Sequence, residues 1–300
     1  MCIRDRAAAA LTRMRPSRDR VAELLAAEPP DRSDDTGTPG STPGAVRGAS
    51  LRVRYDAGGR WALDGVDLEL VPGSRVAVVG PSGAGKSTLA ALLVRLVDPE
   101  SGDLTVDGVP VVELAPGELR RTVALCEQDA HVFDASIADN LRIGRPDAPA
   151  EKLLEVLGVV GLAGWVAGLA DRLDTPVGEN GCRLSGGQRK RLVVARTLLA
   201  ERPVLAFDEP TEHLDPVGAD ELMARLLDGP ADRARLVVSH RLSGLERVAE
   251  ILVLDHGRVV ERGRHDELLE RDGTYARMWQ REVGCTPVMS AHSRDLIPPG

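Results

Sequence analysis

One stretch constrains what this chain can fold into more than any other. The apolar run of residues 75–79 passes directly into Gly80-Pro81-Ser82-Gly83-Ala84-Gly85-Lys86-Ser87-Thr88, and residues 89–97 continue at helical spacing. The pattern G-x-x-x-x-G-K-[ST] between a strand and a helix is that of a phosphate-binding loop. Its glycines let the backbone fold around an anion, so that successive N–H groups and the positive end of the following helix converge on it. Lys86 is then placed to reach the β- and γ-phosphates of a nucleotide, and the Ser87 hydroxyl to ligate Mg2+. The competing reading, a glycine-rich turn with a surface lysine, leaves the strand before it and the helix after it unexplained.

Such a loop needs a parallel sheet behind it. Residues 123–126, 204–207, 236–238 and 251–254 are further short apolar runs bounded by polar residues, alternating with helical stretches. Continuous apolarity predicts strands buried on both faces of a largely parallel sheet. Residues 51–55 and 68–70 alternate instead, which predicts an antiparallel edge or side sheet. The run 204–207 ends in Asp208-Glu209-Pro210, putting two acids at a strand's C-terminal edge, where ligands bind in open α/β sheets. Asp208 is suited to hold Mg2+, and Glu209 to orient and deprotonate a water attacking the γ-phosphate. An acidic turn after a core strand is the plain alternative, weakened by the phosphate loop upstream. Leu184-Ser185-Gly186-Gly187-Gln188 then precedes a basic helix over residues 189–200. Ser185 is placed to cap that helix, and the glycines leave its N–H groups open as a second phosphate cradle. One ATP does not need two cradles on one subunit. The second is read as serving a nucleotide held by a partner's loop, with two subunits head to tail around two ATP molecules; a simple capped helix is the alternative.

Composition narrows the partners. With 46 acidic and 38 basic residues the formal net charge is −8, and aromatic residues are only 2%. Both argue against a basic groove with stacking platforms, so no nucleic-acid partner is expected. An anionic ligand has to be held locally. The longest uncharged stretch, residues 156–170, carries Gly158, Gly161, Gly164 and Gly168 and is too short to cross a bilayer as a helix. Cys2, Cys126, Cys182 and Cys285 lack the paired spacing of a zinc or redox site and read as reduced thiols. A brief alanine run followed by Arg13, Arg15, Arg18 and Arg20 does not read as a signal peptide.

Over residues 51–283 the chain resembles the nucleotide-binding domain of ABC transporters. The resemblance implies an α/β fold: a P-loop NTPase (RecA-like) core with an antiparallel β subdomain and a helical signature subdomain. It also implies ATP and Mg2+ as cofactors, and hydrolysis of ATP to ADP and phosphate coupled to transmembrane transport. Residue by residue, Tyr55 matches the aromatic side chain that stacks on adenine, residues 80–88 match Walker A, and Gln128 matches the glutamine linking Mg2+ to the transmembrane interface. Leu184 to Gln188 match the signature, Asp208 and Glu209 match Walker B, Asp215 matches the D-loop, and His240 matches the switch histidine sensing γ-phosphate. An imidazole after the run 236–238, at the sheet's C-terminal edge, is also well placed on its own account to hydrogen-bond phosphate. By themselves Tyr55 would be an ordinary strand tyrosine and Gln128 a solvated loop residue; their positions among the other motifs raise them.

Thr175-Pro176-Val177-Gly178-Glu179-Asn180-Gly181 resembles the loop with which exporters contact transmembrane coupling helices. Gln128-Asp129-Ala130-His131-Val132-Phe133, with Ile137, Asn140 and Leu141, is similar to the exporter sequence after the Q-loop glutamine. Where exporters commonly carry Ser-Ala-Leu-Asp, Thr211 is followed here by Glu212-His213-Leu214-Asp215. Together with residues 239–245 this resembles the C-type subunit of the bacterial thiol-reductant exporter, a heterodimer that exports cysteine and glutathione and supports cytochrome bd assembly. The resemblance implies a second nucleotide-binding subunit in a head-to-tail heterodimer, transmembrane domains fused N-terminally, and a place at the cytoplasmic face of the bacterial plasma membrane. An exporter half for a lipid, peptide or drug is the alternative. A soluble ABC ATPase of DNA repair or translation is more distant, because such proteins usually carry a second ATPase domain or a long coiled-coil insertion. Intact Glu209 and His240 argue against a binding-only subunit. Val21, Leu24 and Leu25 predict a short amphipathic helix, so residues 1–28 are read as the remnant of a transmembrane-domain C-terminal helix. Residues 29–49 read as a flexible linker, 50–283 as the ATP-binding domain and 284–300 as a disordered tail.

Overall fold

The structure, a computed structural model, describes residues 44–56 and 58–285. The expected helix around residues 18–27, the linker up to residue 43 and the tail from residue 286 lie outside the described residues.

Two sheets organise the chain. Strands β1 (Val46–Val53), β2 (Leu63–Leu70), β4 (Ser101–Val106) and β5 (Val109–Pro110) form an antiparallel sheet in the order β2-β1-β4-β5. Strands β3 (Arg75–Val79), β6 (Val123–Cys126), β7 (Val204–Asp208), β8 (Ala234–Val238), β9 (Glu250–Asp255) and β10 (Arg258–Gly263) form the second, in the order β10-β9-β3-β8-β7-β6. All its pairings are parallel except that of β9 with β10. The helices are α1 (Lys86–Leu93), α2 (Pro116–Thr122), α3 (Ile137–Arg142), α4 (Ala150–Val159), α5 (Ala163–Ala167), α6 (Gly186–Leu199), α7 (Pro216–Leu227), α8 (His265–Glu270) and α9 (Thr274–Cys285).

The continuous apolar runs do what their pattern predicts. Val76 and Val78 of β3, Val204 and Ala206 of β7, and Leu252 and Leu254 of β9 face one core, shared with the antiparallel sheet and α1. The intervening Ala77, Val79, Leu205, Phe207, Ile251 and Val253 face the other, shared with α3 to α7. Each fully buried Val, Leu or Phe side chain there contributes about 1.5–3 kcal/mol, so the sheet is anchored from both sides. Its central strands β3, β8 and β7 are neighbours in parallel register, with Val78 opposite Val238 and Asp208 opposite Val238. The loops leaving these strands, at Gly80, Glu209 and Ser239, are therefore forced together at one edge.

Three differences from the sequence reading stand in the fold. The expected linker to residue 49 is overlapped by β1, which begins at Val46 and pairs with β2 on one side and β4 on the other. Little large apolar surface marks residues 44–50, but Val46 is fully buried and the backbone is bonded on both edges. Strand β10 was not foreseen because it is an edge strand with alternating exposure. Helix α9 runs to Cys285, two residues beyond the expected domain end. Among the described residues no helix is long and apolar enough to cross a membrane. The uncharged stretch at 156–170 instead supplies Leu157, Val160, Leu162 and Val166 to the core.

Candidate functional site

The phosphate loop is built by close backbone packing. A Cβ on Gly80 would lie 2.0 Å from the Leu254 carbonyl oxygen and one on Gly85 2.2 Å from that of Ala62, and both residues have positive φ, 149° and 105°. Glycine alone fits where the loop lies against β9 and the start of β2. Gly85 caps α1 without any side-chain hydrogen bond, leaving the first N–H groups of the helix unclaimed by a capping side chain. Along the same loop Lys86 is buried, and its Nζ donates to the carbonyls of Gly80 at 2.8 Å and Pro81 at 3.1 Å. Burial pulls its pKa down, against the opposing pull of the Glu209 and Asp208 carboxylates.

Those carboxylates stand at the end of β7. Asp208 is buried, and burial raises its pKa; a hydrogen bond from Ser87 works the other way. Its Oδ1 has no hydrogen-bond partner. A desolvated carboxylate oxygen without a donor, beside a serine hydroxyl on the phosphate loop, suits a hard divalent cation with oxygen ligands. Ser87 and Asp208 could hold Mg2+ together with phosphate oxygens, and the ion would neutralise charge developing on those phosphates.

Glu209 adopts φ 49°, the left-handed region that costs a non-glycine residue about 1–2 kcal/mol. The conformation is held from both sides: its N–H donates to Val238 O at 3.0 Å, and its carbonyl accepts from Glu212 N at 3.2 Å. Strain of this kind, held by its surroundings, is typical of functional sites. One carboxylate oxygen, Oε2, accepts from the His240 N–H at 3.2 Å and bonds its Nδ1 at 2.8 Å. That hydrogen bond raises the His240 pKa above the usual 6.5. A raised folded-state pKa gives stability that is fully present below about pH 6.5 and lost as pH rises through the raised value. Wild-type chain is therefore expected to exceed a His240→Ala variant in melting temperature by more at pH 6 than at pH 9; a difference independent of pH would exclude the pairing.

Tyr55 reaches the same edge. Its hydroxyl lies 3.1 Å from Thr88 Oγ1 while the residue stays 65% exposed, leaving a ring face accessible beside the loop. Tyr55, Ser87, Thr88 and Asp208 line one cavity of 340 Å³. Gly80, Pro81, Ser82, Leu214 and His240 open on a larger one of 1030 Å³. Within the loop, Gly83 has nothing within 4 Å of where a Cβ would be, and Ala84 is buried with its N–H on Pro81 O at 3.2 Å. Lys86, Ser87, Asp208, Glu209, His240, Tyr55 and the loop glycines thus lie along one loop-lined edge.

Other expected residues stand apart. Ser185 caps α6: its Oγ accepts from Gln188 N at 3.1 Å and Gln188 Oε1 accepts from Ser185 N at 2.9 Å. Gly186 lines a separate cavity of 320 Å³ with Gln128, Lys190 and His213, of which the phosphate loop is not part. Gly187 packs closely on Leu214. Asp215 caps α7 through Gly218 N at 3.2 Å. Gln128 donates from Nε2 to Glu212 Oε1 at 3.2 Å, and its carbonyl accepts from Lys190 Nζ at 2.9 Å. Sequence reasoning missed Lys190, which is buried and also reaches the Asp208 carbonyl at 3.5 Å; in a basic helix it reads as solvent-facing charge. Asn140 likewise proves fully buried, with Nδ2 on the carbonyls of Phe133 and Ser136 and Oδ1 accepting from Phe133 N and Arg196. Cys126, buried and free, has its thiol pKa pushed up to about 11 by burial, which makes it an inert thiol.

The ABC transporter family model matches residues 63–212, half of the chain. An ATP-dependent lipid A-core flippase of Chromobacterium violaceum is 40% identical over 82% of this chain and 43% of its own length. That of Ralstonia nicotianae is 42% identical over 78% and 40% respectively. Among solved structures, a bacterial Atm1-family ABC exporter with ATP bound superposes with TM-score 0.75 at 37% identity, over 84% of this chain and 43% of that one. The chain spans about two fifths of the length of these relatives. The solved neighbour is an ABC exporter, in keeping with the expected exporter type, while the two flippases lend no support to the expected thiol-reductant specificity. With its sheet order, phosphate loop and paired acids in place, the chain belongs to the ABC transporter family and comprises a nucleotide-binding domain of exporter type.

Proposed function

We propose that this chain binds Mg2+ and ATP at the edge formed by β3, β7 and β8, hydrolyses ATP there, and powers an exporter whose transmembrane domains lie outside the chain. The observation that carries this reading is the convergence of Lys86, Asp208 with its unpartnered Oδ1, and the Glu209–His240 pair on one loop-lined edge. Gly80 to Thr88 cradle the phosphates, Tyr55 covers the adenine, Glu209 takes the proton of the attacking water and His240 holds Glu209 and meets the γ-phosphate. Ser185, Gly186, Gly187 and Gln188 serve the nucleotide of a second nucleotide-binding domain, closed head to tail, with Asp215 in the segment between. This assignment is supported by the separation of the signature from the phosphate loop within one chain.

For the transported molecule, the relatives favour a lipid over cysteine or glutathione. The thiol-reductant reading rests on Glu212 to Asp215 together with residues 239–245. The head-to-tail arrangement is tested by mixing. Lys86→Ala and Ser185→Arg chains should each be inactive and should recover hydrolysis when combined, since one composite site of the mixed dimer is then intact. No recovery, with wild-type turnover per chain independent of protein concentration, would rule out pairing with a second copy.

A further inference from the structure

The side chain of His240 is 61% exposed, so packing does not fix the ring. Apart from the Glu209 carboxylate that it meets, its place is set by the main chain on either side. On the N-terminal side that chain is anchored in the sheet: the N–H of Ser239 donates to Val78 O at 3.0 Å. On the C-terminal side residues 241–243 have left the sheet, and two other elements hold them. Asp220 of α7 accepts from the Arg241 guanidinium at 3.0 Å and from Ser243 Oγ at 2.9 Å. These are side-chain contacts of a half-exposed carboxylate, a kind that contributes little. Glu282 of α9 grips the main chain itself: Oε2 accepts from Leu242 N at 2.7 Å and Oε1 from Ser243 N at 3.2 Å. A carboxylate on two successive N–H groups makes charge-assisted hydrogen bonds, the stronger kind.

Helix α9 is a firm base for that grip. Its Tyr275 is fully buried, with the hydroxyl 2.7 Å from His265 Nδ1 on α8. Glu282 stands seven residues on, two turns along the same face. Met278, between them, lines with Glu282 the cavity of 1030 Å³ that also takes in Gly80, Pro81, Ser82 and His240. The last helix is thus a wall of the phosphate-loop edge, joined to it directly after His240.

We propose that Glu282 is a positioning residue for His240: by binding the N–H groups of Leu242 and Ser243 it holds the chain that follows the histidine, and through it the imidazole, against Glu209. The expected effect on turnover rests on the reading of this edge as a site of ATP hydrolysis; the placement of His240 does not.

The test compares the wild-type chain with E282A and E282Q by amide hydrogen exchange, read residue by residue by NMR, and by single-turnover hydrolysis beside equilibrium binding of labelled ATP. In E282A exchange should quicken by about tenfold or more at Leu242 and Ser243, which lose their acceptor. It should also quicken at His240, whose N–H is bonded to Glu209 and not to Glu282. Hydrolysis should fall by about 10- to 100-fold, the scale of a small misplacement at a reaction centre, with ATP affinity unchanged. E282Q, which keeps the shape and one acceptor oxygen, should show both effects at smaller size, and it carries the test if E282A does not fold. Faster exchange confined to Leu242 and Ser243, with His240 as protected as in wild type, overturns the proposal. So does a loss of ATP affinity equal to the loss of hydrolysis, the mark of general loosening. Hydrolysis by E209Q at the wild-type rate would overturn the reading of the site instead, and leave the exchange result standing.

Discussion

Replacing Glu209 by Gln is expected to lower ATP turnover by about 10²- to 10⁴-fold, the usual contribution of a general base, with nucleotide binding intact. The substitution preserves shape. The Gln side-chain oxygen can still accept from the His240 N–H that Glu209 Oε2 engages at 3.2 Å, and the backbone bonds to Val238 and from Glu212 do not involve the side chain. What disappears is the capacity to take a proton from water. The loss should therefore appear in kcat, with KM little changed. Single-turnover hydrolysis and equilibrium binding of labelled ATP, measured on the same preparation, check both halves. Turnover within threefold of wild type would remove Glu209 from the role of base and leave its strained backbone without a catalytic purpose.

How much of this was legible in the sequence depends on what kind of physics each residue reports. The parallel sheet was legible because its strands are buried on both faces, which leaves uninterrupted apolar runs such as Val204 to Phe207. The loops at Gly80, Asp208 and His240 were legible because their chemistry needs specific residue types at strand ends. By contrast the start of β1, residues 46–50, and β10 at Arg258–Gly263 are stabilised by backbone pairing and carry alternating or sparse apolar residues. Lys190 and Glu212 were illegible as partners of Gln128 because their contacts span 62 and 84 residues of sequence. No local pattern encodes a hydrogen bond across that distance; only the folded register of β7, α6 and the following turn creates it. The linkage of His240 to Glu209 belongs to the same class: both residues were foreseen, but not that one carboxylate oxygen would serve both the N–H and the ring of the histidine.

Lys86→Ala should do the opposite of Glu209→Gln and weaken ATP binding itself, by about 10²-fold, the scale of one to two charge-assisted hydrogen bonds at about 1.5–3 kcal/mol each. In the structure Nζ rests on the carbonyls of Gly80 and Pro81, both on the loop that would wrap the triphosphate. Binding exchanges neutral carbonyl acceptors for phosphate oxygens of full negative charge, and that exchange is the source of the affinity. Removing the ammonium also leaves Asp208 and Glu209, whose charges both act on Lys86, with less positive charge beside them just where further negative charge must enter. Binding should fall with and without Mg2+, because the lysine acts on the phosphates directly. Melting of the ligand-free variant, measured alongside, separates lost affinity from lost folding: a near-wild-type melting temperature with a hundredfold weaker dissociation constant is the expected result. Equal ATP affinity in the two proteins would mean that the phosphates bind elsewhere, and the assignment of the β3–α1 loop as their cradle would fall with it.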